Sequence, residues 1–391
     1  MKKLSRILIL VVLTALLLDS CCVKNINSSS GGREKDNTEK KQVDGPFVLL
    51  KDSDRIEIIN AVLSKDDVAV DRNIQNRETP FTCFIDNKFA DKFSIKLMDS
   101  ISKNKAIYDK VDRLFVMSDL HGSFNAMYSL LVNNGVIDKK YNWTFGDGHI
   151  VMDGDITDRG RNTVPCLWLF YHLEQMAPGK VHYLLGNHEM MTLYGRAAYL
   201  NEKTKRSVVS ITGKKSKSKA LRTLFSEKSE LGKWLRTKNT IEKIGDVLFV
   251  HAGLSKKLVD SRLTIPQINN VMREYVGVSY KKIPKRDSIG NLLYGRFGPI
   301  WYRGMVMDYK NYYKKISQKD FNDILKYFGV KKIIVGHTSV DNVSSDYAGG
   351  LIRVNVSQPW EKDSDKAQAL LIEGDKFFRV DGLGKRVSIV D

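Results

Sequence analysis

Five short runs of this chain carry side chains that bind metal ions or move protons. They are Ser118-Asp119-Leu120-His121-Gly122, Asp153-Gly154-Asp155-Ile156-Thr157-Asp158-Arg159-Gly160, Gly186-Asn187-His188-Glu189, His251-Ala252-Gly253-Leu254 and Gly336-His337-Thr338. Each offers a carboxylate, an imidazole or an amide, and none offers a thiolate. Such oxygen and nitrogen donors suit Mn, Fe or Zn in a reactive site better than a structural zinc site. A carboxylate can bridge two ions, which an imidazole cannot. Singly, each run reads as an ordinary turn or a capped loop. Five of them in one chain, each at the end of an apolar run, make a metal site the better reading.

The elements that must position these side chains can be read from the apolar pattern. Leu114-Phe115-Val116-Met117, His149-Ile150-Val151-Met152, Val181-His182-Tyr183-Leu184-Leu185, Val247-Leu248-Phe249-Val250 and Ile333-Ile334-Val335 are strand-length apolar stretches. Helical spacing covers 124–132 and 164–173. This alternation predicts an α/β domain with a central sheet. Ligand sites of open α/β sheets lie beyond the carboxyl ends of the strands, where glycines let the backbone turn tightly. All five runs are therefore expected on one edge of one sheet. Leu351-Ile352-Arg353-Val354, Ala369-Leu370-Leu371-Ile372 and Phe377-Phe378-Arg379-Val380 predict further strands. Upstream, Phe47-Val48-Leu49-Leu50 and Ile56-Glu57-Ile58-Ile59 flank Lys51-Asp52-Ser53-Asp54 and predict a hairpin. With strands at 68–70 and 81–85, residues 46–108 read as a small N-terminal β-rich segment packed on the catalytic part.

The chain has 391 residues, enough for one large domain with extensions or for two domains. Its formal net charge of +18 attracts anions in general, without choosing among phosphate esters, nucleic acid and acidic headgroups. Of the four cysteines, Cys83 and Cys166 sit in apolar contexts and read as buried free thiols, although the sequence leaves a disulfide between them open. No repeat is visible.

The N-terminus reads as an export signal. Lys2, Lys3 and Arg6 precede the apolar run 7–18, which is shorter than the roughly 20 residues of a membrane span. Leu18-Asp19-Ser20-Cys21 resembles a bacterial lipoprotein signal, with Cys21 as the lipidated residue, residues 1–20 as the signal peptide, and Cys22 as the alternative. Residues 21–45 are Ser/Gly-rich and then charged, and read as a flexible tether. The expected location is the bacterial cell envelope, lipid-anchored to a membrane surface outside the cytoplasm, or secreted if the chain is not lipidated.

In their order and spacing, Asp-x-His-Gly, Gly-Asp-x-x-Asp-Arg-Gly, Gly-Asn-His-Glu, His-x-Gly-Leu and Gly-His-Thr resemble the calcineurin-like metallophosphoesterases, within them the phosphoprotein phosphatase group. The run Gly298-Pro299-Ile300-Trp301-Tyr302-Arg303-Gly304 is similar to the bacterial branch called Shewanella-like phosphatases. The resemblance implies an α/β fold, the four-layer αββα sandwich, over residues 109–391, with a helical cap insertion at about 190–245. It implies two divalent or trivalent ions. Asp119 and His121 would hold the first, Asp155 would bridge, and Asn187, His251 and His337 would complete the second. Arg159 and Arg303, with Asn187, would grip phosphate, and His188 would be the general acid held by Asp158. Two cations about 3.5–4 Å apart lower the pKa of a shared water, and the hydroxide so formed attacks phosphorus in line. Arg suits phosphate because its planar fork donates paired hydrogen bonds.

The expected activity is that of a dinuclear-metal-dependent phosphomonoesterase acting on phosphoproteins or small phosphomonoesters. Ser118 stands where the family often has Gly, a minor departure. His337-Thr338 continues to Ser339-Val340, whereas many nucleases and phosphodiesterases of the superfamily carry a second His there. That absence favours monoesters, and no nucleic acid is expected as a partner. The alternatives are a nucleotide pyrophosphohydrolase or phosphodiesterase, and a non-catalytic phosphoprotein-binding surface lipoprotein. Between the Asn187 and His251 runs, Lys203, Lys205, Arg206, Lys214, Lys215, Lys217 and Lys219 read either as a basic lid for acidic substrates or as a solvated surface. Met190, Met191 and Trp168 read as core, His149, His172 and His182 as surface or satisfied core histidines, and Glu189 as an orienting residue.

Overall fold

The computed structural model describes residues 42–87, 91–359 and 363–389. The expected export signal, the Cys21 lipidation site and most of the tether lie outside them. The first strand, Gln42–Leu50, begins slightly before the expected end of the tether at 45.

Two mixed six-stranded sheets form the centre. In one, Arg113–Met117, His149–Met152 and Val181–Tyr183 run parallel, and Gln368–Glu373, Lys376–Asp381 and Arg386–Ser388 extend it antiparallel. In the other, Val247–Val250, Lys332–Val335 and Leu351–Arg353 run parallel, with Ile241–Ile244 and Ser344–Asp346 antiparallel beside them and Ile107–Tyr108 at the far edge. Side chains alternate across each strand. Leu114, Val116, Leu370 and Ile372 of the first sheet share one core with Phe249, Ile334 and Ile352 of the second. Phe115, Met117, Leu248 and Val335 point the other way, into the core that includes the helices. Helices Phe124–Asn133 and Thr163–Met176 connect the parallel strands of the first sheet. Helices Ile265–Glu274 and Gln318–Phe328 flank the second, where Asn269 accepts from the backbone N–H of Thr240 and Ile241 at the start of the Ile241–Ile244 strand. The architecture is the expected α/β sandwich. The apolar pattern alone suggests one central sheet; the two found are those of the αββα sandwich that the resemblance implies, with apolar faces of both turned into one shared core.

The N-terminal region is β-rich, as expected. Gln42–Leu50, Arg55–Leu63 and Val68–Asn76 form an antiparallel sheet, and Phe81–Phe84 pairs with Lys92–Ile95. The insertion at 190–245 contains helices Glu202–Thr212, Lys217–Leu224 and Glu230–Leu235, which pack against this small sheet. Phe225 meets Phe47 edge-on at 6.2 Å. Trp234 packs on Tyr171 and Tyr183 with ring centroids 5.8 and 5.0 Å away, pairs of the kind that add about 0.5–1.5 kcal/mol each beyond burial. Cys83 and Cys166 are free and buried, and burial pushes both thiols well above their usual range. Trp168 and Met190 are core, as expected. His182 is satisfied by Glu242 and His149, at 2.8 and 2.9 Å, whereas the buried His172 Nδ1 has no hydrogen-bond partner among the described residues. Among the described residues no helix is long and apolar enough to cross a membrane.

Candidate active site

The five motif runs leave the carboxyl ends of parallel strands in both sheets and meet in one cleft. Its lining includes Asp119, His121, Asp155, Arg159, Asn187, His188, Arg303 and His337. Six of the motif residues, Asp119, His121, Asp155, Asp158, Arg159 and His337, hold positive φ between 46° and 71°. Side chains rarely adopt that conformation, and each instance costs on the order of 1–3 kcal/mol unless its surroundings enforce it. The enforcement is visible. Glu189, fully buried, accepts from the backbone N–H of Asp155, Ile156, Thr157 and Gly186 and from the Tyr183 hydroxyl, at 2.8–3.2 Å. Glycine is required beside it, since a Cβ on Gly186 would lie 2.2 Å from Asp155 Oδ1.

Asp155 is the centre of the arrangement. Its Oδ1 accepts from the backbone N–H of His188 at 2.9 Å, and its Oδ2 lies 3.2 Å from His251 Nε2 and 4.0 Å from His188 Nε2. Two ligand clusters share it: His121, Asp155 and His188, and Asp155, His251 and His337. Asp119 stands beside the first, with Oδ1 3.9 Å from His121 Nε2. It accepts from the Ser118 hydroxyl at 2.6 Å, from the backbone N–H of His337 at 2.9 Å and from Asn355 Nδ2 at 2.9 Å. Asn187 Oδ1 lies 3.1 Å from His251 Nε2.

The electrostatics are those of a site built for cations. Burial pushes Asp119 up to about 6, with His251 opposing. Burial would also raise Asp155, but His251 and His188 together hold it well below the usual carboxylate range. Burial disfavours charge on His251 too, yet Asp155 and its neighbours pull it up to about 10. An imidazolium is thus drawn to the place where a metal ion would sit. The second partners agree. His121 Nδ1 donates to Thr157 O at 2.9 Å and His251 Nδ1 to Asp153 O at 2.7 Å, which turns each Nε2 into the cleft. Histidines that ligate metals are oriented in this way. His337 Nε2 is buried with no hydrogen-bond partner among the described residues, an orphan that a metal ion would satisfy. The residues present therefore fit a dinuclear divalent-metal centre.

His188 Nδ1 lies 2.7 Å from Asp158 Oδ2. Burial lowers the affinity of this imidazole for its proton, but Asp155 and Asp158 outweigh it and the pKa is raised. The Arg159 side chain is exposed at the cleft and makes no hydrogen bond among the described residues, while its backbone N–H donates to Tyr199 O at 2.9 Å. Arg303 Nη1 donates to His337 O and Thr338 Oγ1 at 3.0 and 3.2 Å.

Asn355 and Tyr199 line the cleft from segments that carried no motif, and Trp301 lines it from the run that carries Arg303. Asn355 holds Asp119 from a loop after the Leu351–Arg353 strand. Tyr199, on the short turn Ala197–Tyr199, places its ring 5.1 Å from His188, and Trp301 meets His337 edge-on at 5.8 Å. Trp301 lies in the run that carries Arg303, which was the one available signal; nothing local marks Tyr199 or Asn355. Met191, expected in the core, is buried but also borders the cleft. Of the insertion expected to cap the site, the turn bearing Tyr199 borders the cleft, while its helices pack on the small sheet. Lys203, read as part of a basic lid, is buried.

The model of the family described as calcineurin-like phosphoesterase matches residues 113–341, and the chain belongs to that family. The chain is 30% identical to a cold-active protein-tyrosine phosphatase of a psychrophilic Shewanella species, whose crystal structure superposes with a TM-score of 0.76 over 89% of this chain and 99% of that one. It is 28% identical to Shewanella-like protein phosphatase 1 of Plasmodium berghei over 62% of this chain, a match that spans 66% of that relative's length. It is 24% identical to Shewanella-like protein phosphatase 2 of Arabidopsis thaliana over 66% of this chain and 75% of the relative. On this fold, the paired ligand clusters sharing Asp155 fit a metal-dependent phosphoester hydrolase.

Proposed function

We propose that the protein is a metal-dependent phosphomonoesterase acting on phosphoproteins, with phosphotyrosine as the favoured residue. The observation that carries this reading is the pair of ligand clusters sharing Asp155, with Arg159 and Arg303 on the same cleft. Two cations held there would supply Lewis-acid charge and activate water. Asp155 would serve both, His121 and Asp119 the first, and His251, His337 and Asn187 the second.

The chain's own groups would do the rest. Arg159, exposed at the cleft, and Arg303, anchored on His337 O, would take the non-bridging phosphoryl oxygens and orient the ester for in-line displacement. His188 Nε2 faces the cleft, and the raised pKa of the ring supports its holding a proton near neutral pH. It would deliver that proton to the leaving oxygen, while Asp158 fixes the ring and stabilises its charged form. His188 also belongs to the first ligand cluster, so its acid role requires that it leave ligation to His121 and Asp155.

The tyrosine preference is supported by Tyr199 and Trp301, two aromatic side chains on the cleft, and by the similarity to the Shewanella enzyme. A phenolic ring seated near them would gain ring contacts that an alkyl phosphate cannot. Matched phosphotyrosine, phosphoserine and phosphothreonine peptides, assayed with Mn²⁺, test this. Faster turnover of the phosphotyrosine peptide, levelled by Tyr199→Ala with Trp301→Ala, is expected. Equal rates on all three would remove the preference. No hydrolysis of p-nitrophenyl phosphate with any divalent metal would remove the phosphatase reading.

The N-terminal run before Cys21 supports placing this activity at the cell envelope on a lipid anchor. Labelling with a radioactive or alkyne-bearing fatty acid, abolished by Cys21→Ala, tests that placement.

A further inference from the structure

Behind the turn that carries Tyr199 lies a second, open cavity of about 610 Å³. Its walls carry Arg196, Lys205, Lys215 and Lys217, with Ser216 and Ser218 between them. The only ion pair of these four cations among the described residues is Lys205 Nζ with Glu202 Oε1, at 2.7 Å. Lys215 and Lys217 are exposed. Lys215 and Lys217 therefore give the groove a surplus of positive charge that no ion pair among the described residues offsets. The two cavities share one wall. Tyr199 faces His188 at 5.1 Å, and the Arg196 guanidinium lies 5.4 Å from the same ring on the groove side. An extended peptide advances ~3.3 Å per residue, so about three residues would carry it from the phosphoryl position across this turn.

We propose that this groove binds acidic side chains flanking the phosphoresidue of a peptide substrate, and so selects acidic phosphopeptides. The proposal rests on the phosphatase reading of the cleft. A peptide is favoured over an anionic membrane because the groove adjoins the cleft across one turn, so that a chain held in the cleft by its phosphoryl group would also cross the groove. Lys203, by contrast, takes no part, since it is buried against Asp44 and Asp86.

The test compares kcat/KM for three phosphotyrosine peptides that differ only in their flanks: Glu on the N-terminal side, Glu on the C-terminal side, or Ala on both. The wild type is set against Lys205→Ala with Lys215→Ala and Lys217→Ala, and p-nitrophenyl phosphate, which has no flanks, is the reference. One acidic peptide should exceed the Ala peptide about fivefold at low salt, as a few exposed charge pairs allow. The excess should shrink at about 0.5 M salt, where screening is short-ranged. It should vanish in the triple variant, with p-nitrophenyl phosphate turnover unchanged. Equal wild-type rates on all three peptides, or a preference that survives the triple substitution, would overturn the proposal. So would binding of phosphatidylglycerol vesicles that the substitutions abolish, without any peptide preference. Absence of p-nitrophenyl phosphate turnover in the wild type would count instead against the phosphatase reading beneath it.

Discussion

Lys203 Nζ lies 3.2 Å from Asp86 Oδ2, and both side chains are almost wholly buried. The same ammonium is 3.9 Å from Asp44 Oδ1 and donates to Val43 O at 2.7 Å. Asp86 also receives Arg161 at 3.0 Å, and its backbone N–H and C=O exchange hydrogen bonds with the Asn162 side chain. Arg161 and Asn162 directly follow Asp158-Arg159-Gly160. The N-terminal sheet is thus tied through one lysine to the loop that carries a phosphate-gripping candidate.

Removing that lysine should therefore be costly. Lys203→Met leaves Asp44 in a buried site without its cation and Asp86 with Arg161 alone, and breaking a buried pair typically destabilises by about 3–5 kcal/mol. Urea unfolding followed by far-UV circular dichroism should show a lower midpoint at an unchanged slope. An unaltered midpoint would mean that water reaches these carboxylates.

Asp155→Asn should remove metal and activity together, because both ligand clusters share that carboxylate. Metal analysis after gel filtration should find the variant depleted relative to wild type. Chelation of the wild type should abolish turnover, and Mn²⁺ should restore it. Full metal occupancy in the variant would show that the flanking histidines suffice.

His188→Ala should slow turnover by about 10²–10⁴-fold for an alkyl phosphate, whose leaving group needs a proton. The loss should be smaller for p-nitrophenyl phosphate, whose leaving group is already stable as an anion. Metal content should stay near wild type. A variant that loses metal instead would mark His188 as a ligand. Asp158→Asn should give a milder loss in the same direction, since it removes the 2.7 Å partner but leaves the ring.

Acid stability should depend on His149, far from the cleft at the start of its strand. Burial and the neighbouring His182 depress His149 to about 4. The unfolded chain, with a pKa near the usual 6.5, therefore binds the proton first as pH falls. Between about 6.5 and 4 the unfolded state holds more protons, so this contribution to stability is present above that window and lost as pH falls through it. His149→Gln should flatten the decline in unfolding free energy between pH 7 and pH 5. Parallel curves for the two proteins would assign the decline to other groups.

Much of this protein was written in short stretches of its sequence. The ligand runs are local, because donors, tight turns and the preceding strand all fall within about ten contiguous residues. Asp119, His121, Asp155, Asn187, His188, His251 and His337 could be named from them as candidates, and so could the strands that deliver them. The N-terminal hairpin and Cys83 and Cys166 as buried thiols were legible for the same reason. What depended on remote partners was not. Whether one sheet or two carried the five runs was decided by the core that Leu114 and Val116 share with Phe249 and Ile334. Lys203 is indistinguishable in sequence from Lys205 or Lys215, and only the approach of Asp44 and Asp86 makes it a buried tie rather than part of a basic surface. Tyr199 and Asn355 reach the cleft from segments without a motif, and the five hydrogen bonds of Glu189 exist only once the loop at 155–157 has closed over it. Chemistry that a few neighbouring residues can hold was local information, whereas burial and the pairing of distant charges were properties of the folded chain alone.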